Sequence, residues 1–288
     1  MGVSVRPVAP DELPSFDLVV ATVDRADQLG RLLDSLDVQT HGAFRVLLVD
    51  QNDDDRLDDV LAGHPALKLI RLRSARGLSR ARNAALGQLR ADIVAFPDDD
   101  CVFAPDLLER VARELLTAPE LDGITGRAVG TDGQSSPSWA ADQALLTREN
   151  LWNRAISFTI FLRRAVVERA GSFDERLGLG SDGPSSSGEE TEYLVRALDA
   201  DARIKYDPSL VVTHEEKALS PAALRSLGAR EGASIGYILR KHRYPLGTVA
   251  RMFLRPLGGA VLAAVGRDRA RARFQLATFR GRVLGYRS

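Results

Sequence analysis

The chain of 288 residues is 44% hydrophobic and balances 39 basic against 39 acidic side chains, so a globular protein with an ample core is expected and a nucleic-acid partner is not. Its single cysteine, Cys101, excludes an internal disulfide and suits a reducing, cytoplasmic compartment. Residues 1–16 lack the apolar segment of a secretory signal and no window reaches ~18 uninterrupted apolar residues, so neither secretion nor a membrane span is predicted.

Phe16 to Thr22 is a continuous apolar run and reads as a buried strand. After Asp24, leucines 29, 32, 33 and 36 fall at i, i+3, i+4 and i+7, one face of a helix. Phe44 to Val49 is a second strand, followed by a helical face at Leu57, Val60 and Leu61; Leu67 to Leu72 is a third strand and Leu78 to Arg90 a third helix. Ile93 to Phe96 is a fourth strand, stopped by Pro97, and Leu107, Leu108, Val111 and Leu115 mark the next helix. Alternation of this kind predicts an α/β fold: a mainly parallel, Rossmann-like sheet with helices on both faces.

Three polar features follow apolar strands and therefore share one sheet edge: Thr22-Val23-Asp24, Asp50-Gln51-Asn52 and Asp98-Asp99-Asp100. That edge is where open α/β sheets bind ligands. Three successive carboxylates repel unless a cation compensates them, and a hard divalent ion such as Mg2+ or Mn2+, shared with substrate phosphates, would do so. Gly77 permits an unusual turn at the start of the third helix, Ser79 is a plausible cap, and the first-turn N–H groups with Arg82 would attract a diphosphate.

The series Val19-Val20-Ala21-Thr22-Val23-Asp24-Arg25, Val49-Asp50-Gln51-Asn52, Gly77-Leu78-Ser79-Arg80-Ala81-Arg82-Asn83 and Phe96-Pro97-Asp98-Asp99-Asp100 resembles the family 2 glycosyltransferases of the GT-A fold, over roughly residues 16–215. The resemblance implies that Asp50 contacts a nucleotide base and that the Asp-x-Asp pair, Asp98 and Asp100, handles ribose and metal; Thr22, Asp24, Asn52 and Asp99 are nucleotide-sugar candidates by their place on the same edge. Two departures, Ala75 where the family commonly has Asn, and Ala21-Thr22-Val23-Asp24 where it has Pro-Thr-Tyr-Asn, touch the choice of base and sugar and leave the fold unaffected.

Gly123 to Val129 is a further strand, and the polar segment 130–150 with Trp139, like Trp152 after it, could meet an acceptor. Ser157 to Leu162 reads as a strand and Arg164 to Ala170 as a short helix. Residues 177–188, rich in Gly and Ser, read as a mobile loop with nothing to pack a core. They lead into Gly188-Glu189-Glu190-Thr191-Glu192-Tyr193-Leu194-Val195-Arg196, whose glutamates occupy a helix's first turn, where the dipole favours anions. The segment resembles the family's Gly-Glu-Asp-x-Asp-Leu-x-x-Arg pattern, which implies Glu190 as general base, with Glu189 competing for the role. Val211 to His214 closes the sheet, and the resemblance to several GT-A families makes His214 a candidate metal ligand.

Beyond Ser220 the pattern turns helical and basic: fourteen Arg and Lys against Glu231 and Asp268, a net +12, leave −12 on residues 1–219. Met252 to Val265 is apolar but interrupted by Arg255, Pro256 and two glycines, too short and broken to span a bilayer. Phe274, Leu276 and Phe279 between arginine clusters suit an anionic membrane surface on the cytoplasmic side. The expected division is a leader (1–15), a GT-A domain (16–219) and a helical extension (220–288). The implied reaction is metal-dependent, inverting transfer of a sugar from a nucleotide-diphosphate donor to a saccharide or lipid-linked acceptor hydroxyl, in polysaccharide, cell-envelope or glycolipid synthesis. Two alternatives are a metal-dependent nucleotidyltransferase, which would normally show a glycine-rich phosphate loop after the first strand, and a non-catalytic nucleotide-binding, membrane-associated protein.

Overall fold

The structure, a computed structural model, describes residues 13–136, 138–181, 183, 185–215 and 219–288. Of the expected leader, residues 1–12 lie outside the described residues, as does Pro184 of the loop. The described residues form two compact units, one drawn from the ranges 13–76, 81–172 and 197–215, the other from 77–80, 173–196 and 219–288.

The first unit is built on nine strands: β1 (Phe16–Thr22), β2 (Phe44–Asp50), β3 (Leu69–Arg73), β4 (Ile93–Ala95), β5 (Cys101–Phe103), β6 (Gly123–Val129), β7 (Ala144–Leu145), β8 (Ile160–Arg163) and β9 (Ile204–His214). Their order is β3-β2-β1-β4-β8-β6-β9-β5, with β7 also on β9. The four strands β3-β2-β1-β4 are parallel, as the unbroken apolar runs predict. Beyond β4 the sheet is mixed: β8 runs antiparallel to β4 and β6, while β6 and β9 are parallel. The chain steps outward from β1 to β3 and then returns to place β4 on the other side of β1. A topological switch point therefore falls between the C-terminal ends of β1 and β4, where a crevice opens in such sheets.

Helices α1 (Ala26–Asp37), α2 (Asp58–Ala62), α3 (Leu78–Leu86), α4 (Leu107–Thr117) and α5 (Arg164–Ala170) follow their strands. Leu29, Leu32, Leu33 and Leu36 of α1 are buried with Phe16, Leu18 and Val20 of β1, and each such side chain contributes about 1.5–3 kcal/mol on leaving water. Helix α3 stops before Gly87 and not at Arg90, and Ser157 to Thr159 forms a short 3-10 turn ahead of β8 where a strand was expected. Strand β9 begins at Ile204, ahead of the expected Val211, and continues through Pro208 because its pairing with β6 slips between Thr125 and Arg127. Gly126 sits at the slip, where a Cβ would strike the Leu210 backbone.

In the second unit lie the first turns of α6 (Glu189–Asp199) and three long helices, α7 (Pro221–Lys241), α8 (Leu246–Val265) and α9 (Arg269–Arg287). Gly228, Gly232 and Gly236 of α7 lie over Phe274, Thr278 and Arg282 of α9, so the two helices run parallel with their backbones in close approach. Within the expected loop, Leu177 and Ser185 are buried, where the sequence offered nothing to pack a core. Two expectations about the tail are corrected. Helix α8 is continuous over 20 residues with Pro256 inside it, and it is the one helix among the described residues long and apolar enough to cross a membrane. One proline removes one hydrogen bond without ending so long a helix, and Gly259 gives room to the Gln275 side chain. The outward apolar surface lies on α8, at Leu254, Val261, Leu262 and Val265, which are 63–79% exposed. Phe274 packs against Gly228 and Phe279 edge-on against Phe253, leaving only Leu276 of the expected trio exposed.

Candidate active site

Asp98, Asp99 and Asp100 leave the end of β4 beside β1, where Ala21 bridges to Asp98. Their side chains diverge to different partners. Asp98 accepts from the buried Arg82 guanidinium at 3.0 Å and from the Ser157 hydroxyl at 3.2 Å. Asp99 is buried, accepting from the Thr22 hydroxyl at 2.7 Å and Arg25 at 2.8 Å; burial pushes its carboxyl up despite both donors. Asp100 takes a 2.8 Å bond from the same Arg25 nitrogen and lies 3.0 Å from Nε2 of His214. One guanidinium thus spans two neighbouring carboxylates, and their charge outweighs the cost of burial to raise the Arg25 pKa. Burial alone would lower the His214 imidazole; its hydrogen bond and charge contact with Asp100 carry it above its ordinary value. The ring is also stacked on Phe158, with centroids 4.8 Å apart and planes 3° from parallel.

One oxygen each from Asp98 and Asp100 and a nitrogen of His214 lie within 4.8 Å of one another. Two carboxylates and an imidazole converging at a sheet edge fit a divalent cation that accepts both oxygen and nitrogen ligands. The residues present therefore fit the expected metal, and His214 joins the acids because β9 pairs with β5 in a register that sets His214 opposite Cys101.

Along the same edge, Asp50 is fully buried at the end of β2. It accepts from the Asn52 amide and side chain at 2.9 and 2.8 Å and from Arg71 at 2.6 and 2.9 Å, with Arg73 at 3.0 Å. These contacts overcome burial and hold the carboxyl below its usual range. Asp24 adopts φ 58°, its amide donates to Asn52 Oδ1, and its carboxylate pairs with Arg56 and Arg76. The expected nucleoside residues Thr22, Asp24, Asp50 and Asn52 are therefore one hydrogen-bonded edge, contiguous with the acids through Thr22.

The remaining expected residues belong to the second unit. Gly77 has φ 131°, the turn that its lack of a side chain permits. Ser79 does not cap α3: its hydroxyl donates to the Leu177 carbonyl at 2.7 Å, and the Leu78 amide donates to Leu179. Glu189 is buried and Glu190 half-buried in the first turn of α6, with the Thr191 hydroxyl 3.2 Å from Glu190. Below them Glu192 is fully buried between Lys241 at 2.6 Å, His242 at 3.0 Å and Arg196 at 2.9 Å. Burial would raise its carboxyl, but these three donors bring it to about 2.

Several functional neighbours were not identified from sequence. Arg25 lies three residues past the end of β1, and an arginine one residue after Asp24 in an acid-rich edge was a usable signal. Ser157, Phe158, Arg71 and Arg73 reach the site through pairings across the sheet, which no local spacing announces. Trp152 donates to the Arg148 carbonyl at 3.0 Å within its own turn.

Comparison with known proteins bears on the family and the fold. The model of the family described as glycosyl transferase family 2 matches residues 17–171. The succinoglycan biosynthesis protein ExoO of Rhizobium meliloti is 28% identical over 224 residues, 71% of this chain and 62% of that protein. The pre-mycofactocin glycosyltransferase of Mycobacterium tuberculosis is 24% identical over 226 residues, 74% of this chain and 45% of its own length. The chain thus spans only part of these relatives. Among solved structures, S. aureus TarS 1-349 in complex with UDP-GlcNAc superimposes with TM-score 0.63 at 18% identity, covering 92% of this chain and 91% of that one. The mannosyltransferase PcManGT from Pyrobaculum calidifontis, in complex with GDP-Man and Mn2+, gives TM-score 0.63 at 18% identity over 99% and 90%. With a GT-A sheet, acids at its switch point and the family model matching more than half its length, this chain belongs to glycosyl transferase family 2.

Proposed function

We propose that the chain transfers a sugar from a nucleotide-diphosphate donor to an acceptor hydroxyl with inversion at the anomeric carbon. The observation that carries this reading is the convergence of Asp98, Asp100 and His214 at the switch point of the sheet. Those three residues would hold Mn2+ or Mg2+, which when bound supplies positive charge to the leaving diphosphate. The buried Arg82 fixes Asp98, and Phe158 fixes the plane of His214, so both ligands are oriented before any ligand arrives. The Asp50 and Asn52 edge receives the base and ribose, and Thr22 and Asp99 close the nucleoside side; the nucleotide-sugar complexes of TarS and PcManGT support a donor of this class. Glu190, at the start of α6, takes the proton from the acceptor hydroxyl as it attacks. Glu189 is more buried and serves less well as an acceptor-facing base.

The acceptor is a saccharide or lipid-linked saccharide of polysaccharide, cell-envelope or glycolipid synthesis, consistent with the relative named for succinoglycan biosynthesis. The second unit, with +12 beyond residue 219 and the exposed apolar stripe of α8, holds the protein at the cytoplasmic face of an anionic membrane. The test is thermal-shift screening against UDP- and GDP-sugars with Mn2+, followed by a transfer assay on the stabilising donor. A donor that stabilises only when metal is present supports the reading; stabilisation or turnover undiminished in excess chelator overturns its metal dependence, and absence of any nucleotide-sugar effect overturns the whole.

A further inference from the structure

Along one side of their glycine seam, with Ala229, Ala233 and Gly281 at its floor, α7 and α9 form a groove of about 700 Å³. On α7 its lining falls at residues 222, 225, 226, 229, 230 and 233, on α9 at 273, 276, 277, 280, 281 and 284, each set one helical stripe. Four arginines line it, Arg225, Arg230, Arg273 and Arg280, and none of the lining residues is acidic. Arg230 donates to Ser226 at 3.1 Å and interacts through charge with the neighbouring Glu231, while no described ion pair joins Arg225, Arg273 or Arg280 to a carboxylate. Between the guanidinium groups the lining is apolar, with Ala229, Ala233, Leu276, Ala277 and Leu284. Charge of one sign over an apolar lining matches an amphiphile with an anionic head, and forked guanidinium donors fit phosphate oxygens in pairs. A soluble anion would leave the alanines and leucines without a partner.

We infer that this groove binds the phosphate of an anionic bilayer phospholipid, with the first carbons of its acyl chains over Leu276 and Leu284. The bilayer is chosen as the source because α8, packed on α9 in the same unit, exposes Leu254, Val261, Leu262 and Val265, an apolar stripe of the kind that enters the headgroup boundary. The site rests on the membrane attachment proposed above and sharpens it: a specific lipid seat in place of diffuse attraction.

The experiment titrates the full chain calorimetrically with dihexanoyl phosphatidic acid kept monomeric, alongside inorganic phosphate and dihexanoyl phosphatidylcholine, and measures sedimentation with phosphatidylcholine vesicles containing phosphatidic acid. Saturable one-site binding of the acidic lipid is expected, with neither of the other two ligands matching it. The triple variant Arg225→Gln, Arg273→Gln, Arg280→Gln should weaken it on the order of 100-fold, about fivefold for each charge. A control triple, Arg267→Gln, Arg269→Gln, Arg287→Gln, removes the same charge outside the groove and should stay within about twofold. All six arginines are exposed, so neither variant disturbs the core. If vesicles bind but the two triples fall equally, the attachment stands and the groove is withdrawn. Equal binding of inorganic phosphate also overturns the lipid assignment. If the wild type binds neither monomer nor vesicle, both the groove and the attachment fail.

Discussion

Asp100 is the residue on which three interactions meet: the Arg25 bridge, the His214 contact and the candidate metal position. Replacing it with Ala removes one carboxylate from the donor set while leaving Arg25 its second partner, Asp99, so the fold should persist. Circular dichroism and the unfolding midpoint should change little, whereas the Mn2+-dependent stabilisation by donor should disappear with turnover. A variant that keeps metal-dependent donor binding would remove Asp100 from the ligand set. For the base, Glu190→Gln preserves size and should lower turnover by roughly 10²–10⁴ with donor affinity nearly unchanged. Steady-state rates for Glu190→Gln and Glu189→Gln, measured side by side, decide between them: the larger loss at Glu189 would move the assignment by one residue. The positions of Asp98 and Asp100 past β4 and of Glu190 in the first turn of α6 were legible because acids that follow a strand, or open a helix, occupy places the sequence itself defines. Arg25, Ser157 and Phe158 were not, because their importance comes from what another strand sets beside them.

Helix α6 shows how an element carries a functional residue at its tip and an anchor one turn below. Glu190 is half-buried, while Glu192 is enclosed by Arg196, Lys241 and His242. Since the folded carboxyl is brought from 4.5 to about 2, the unfolded chain binds its proton more readily, and the linkage contributes stability that is complete above pH 4.5. That contribution, about 3 kcal/mol for a shift of this size, is lost as pH falls from 4.5 through about 2. Thermal midpoints should accordingly show Glu192→Gln less stable than wild type at neutral pH, with the gap closing toward the acid end. A gap that persists unchanged at the acid end would mean the side chain acts by packing alone. Legibility at this scale follows element length and periodicity. Strand β1 matches its sequence boundaries and helix α1 buries the expected leucines because the apolar run and the leucine spacing are unambiguous. Strand β5, three residues beside the acids, and the first half of β9, which contains Pro208, were hidden by short length and by a residue that ordinarily forbids a ladder. The continuity of α8 was hidden by the same residue type, since a proline's effect on a helix depends on what packs around it.

At the scale of the whole molecule, the parallel α/β fold and the helical tail could both be foreseen, since alternation of strands and helices, and then their cessation, are properties of long stretches. The mixed half of the sheet could not, because β8 and β6 declare their directions only through pairings between distant segments. The charge split has a consequence for how copies of the protein treat one another. With a pI near 6.9, a neutral solution leaves almost no net charge to keep molecules apart, while the tail carries +12 and residues 1–219 carry −12. Such a particle is colloidally a large zwitterion, and opposite patches on neighbouring copies attract across any distance shorter than the Debye length, about 30 Å at 0.01 M salt and 8 Å at 0.15 M. Static light scattering at neutral pH should therefore give a negative second virial coefficient in low salt that rises toward zero as salt is added, the reverse of ordinary salting-out. A coefficient that is positive in low salt and falls with added salt would show that the two charge populations cancel locally.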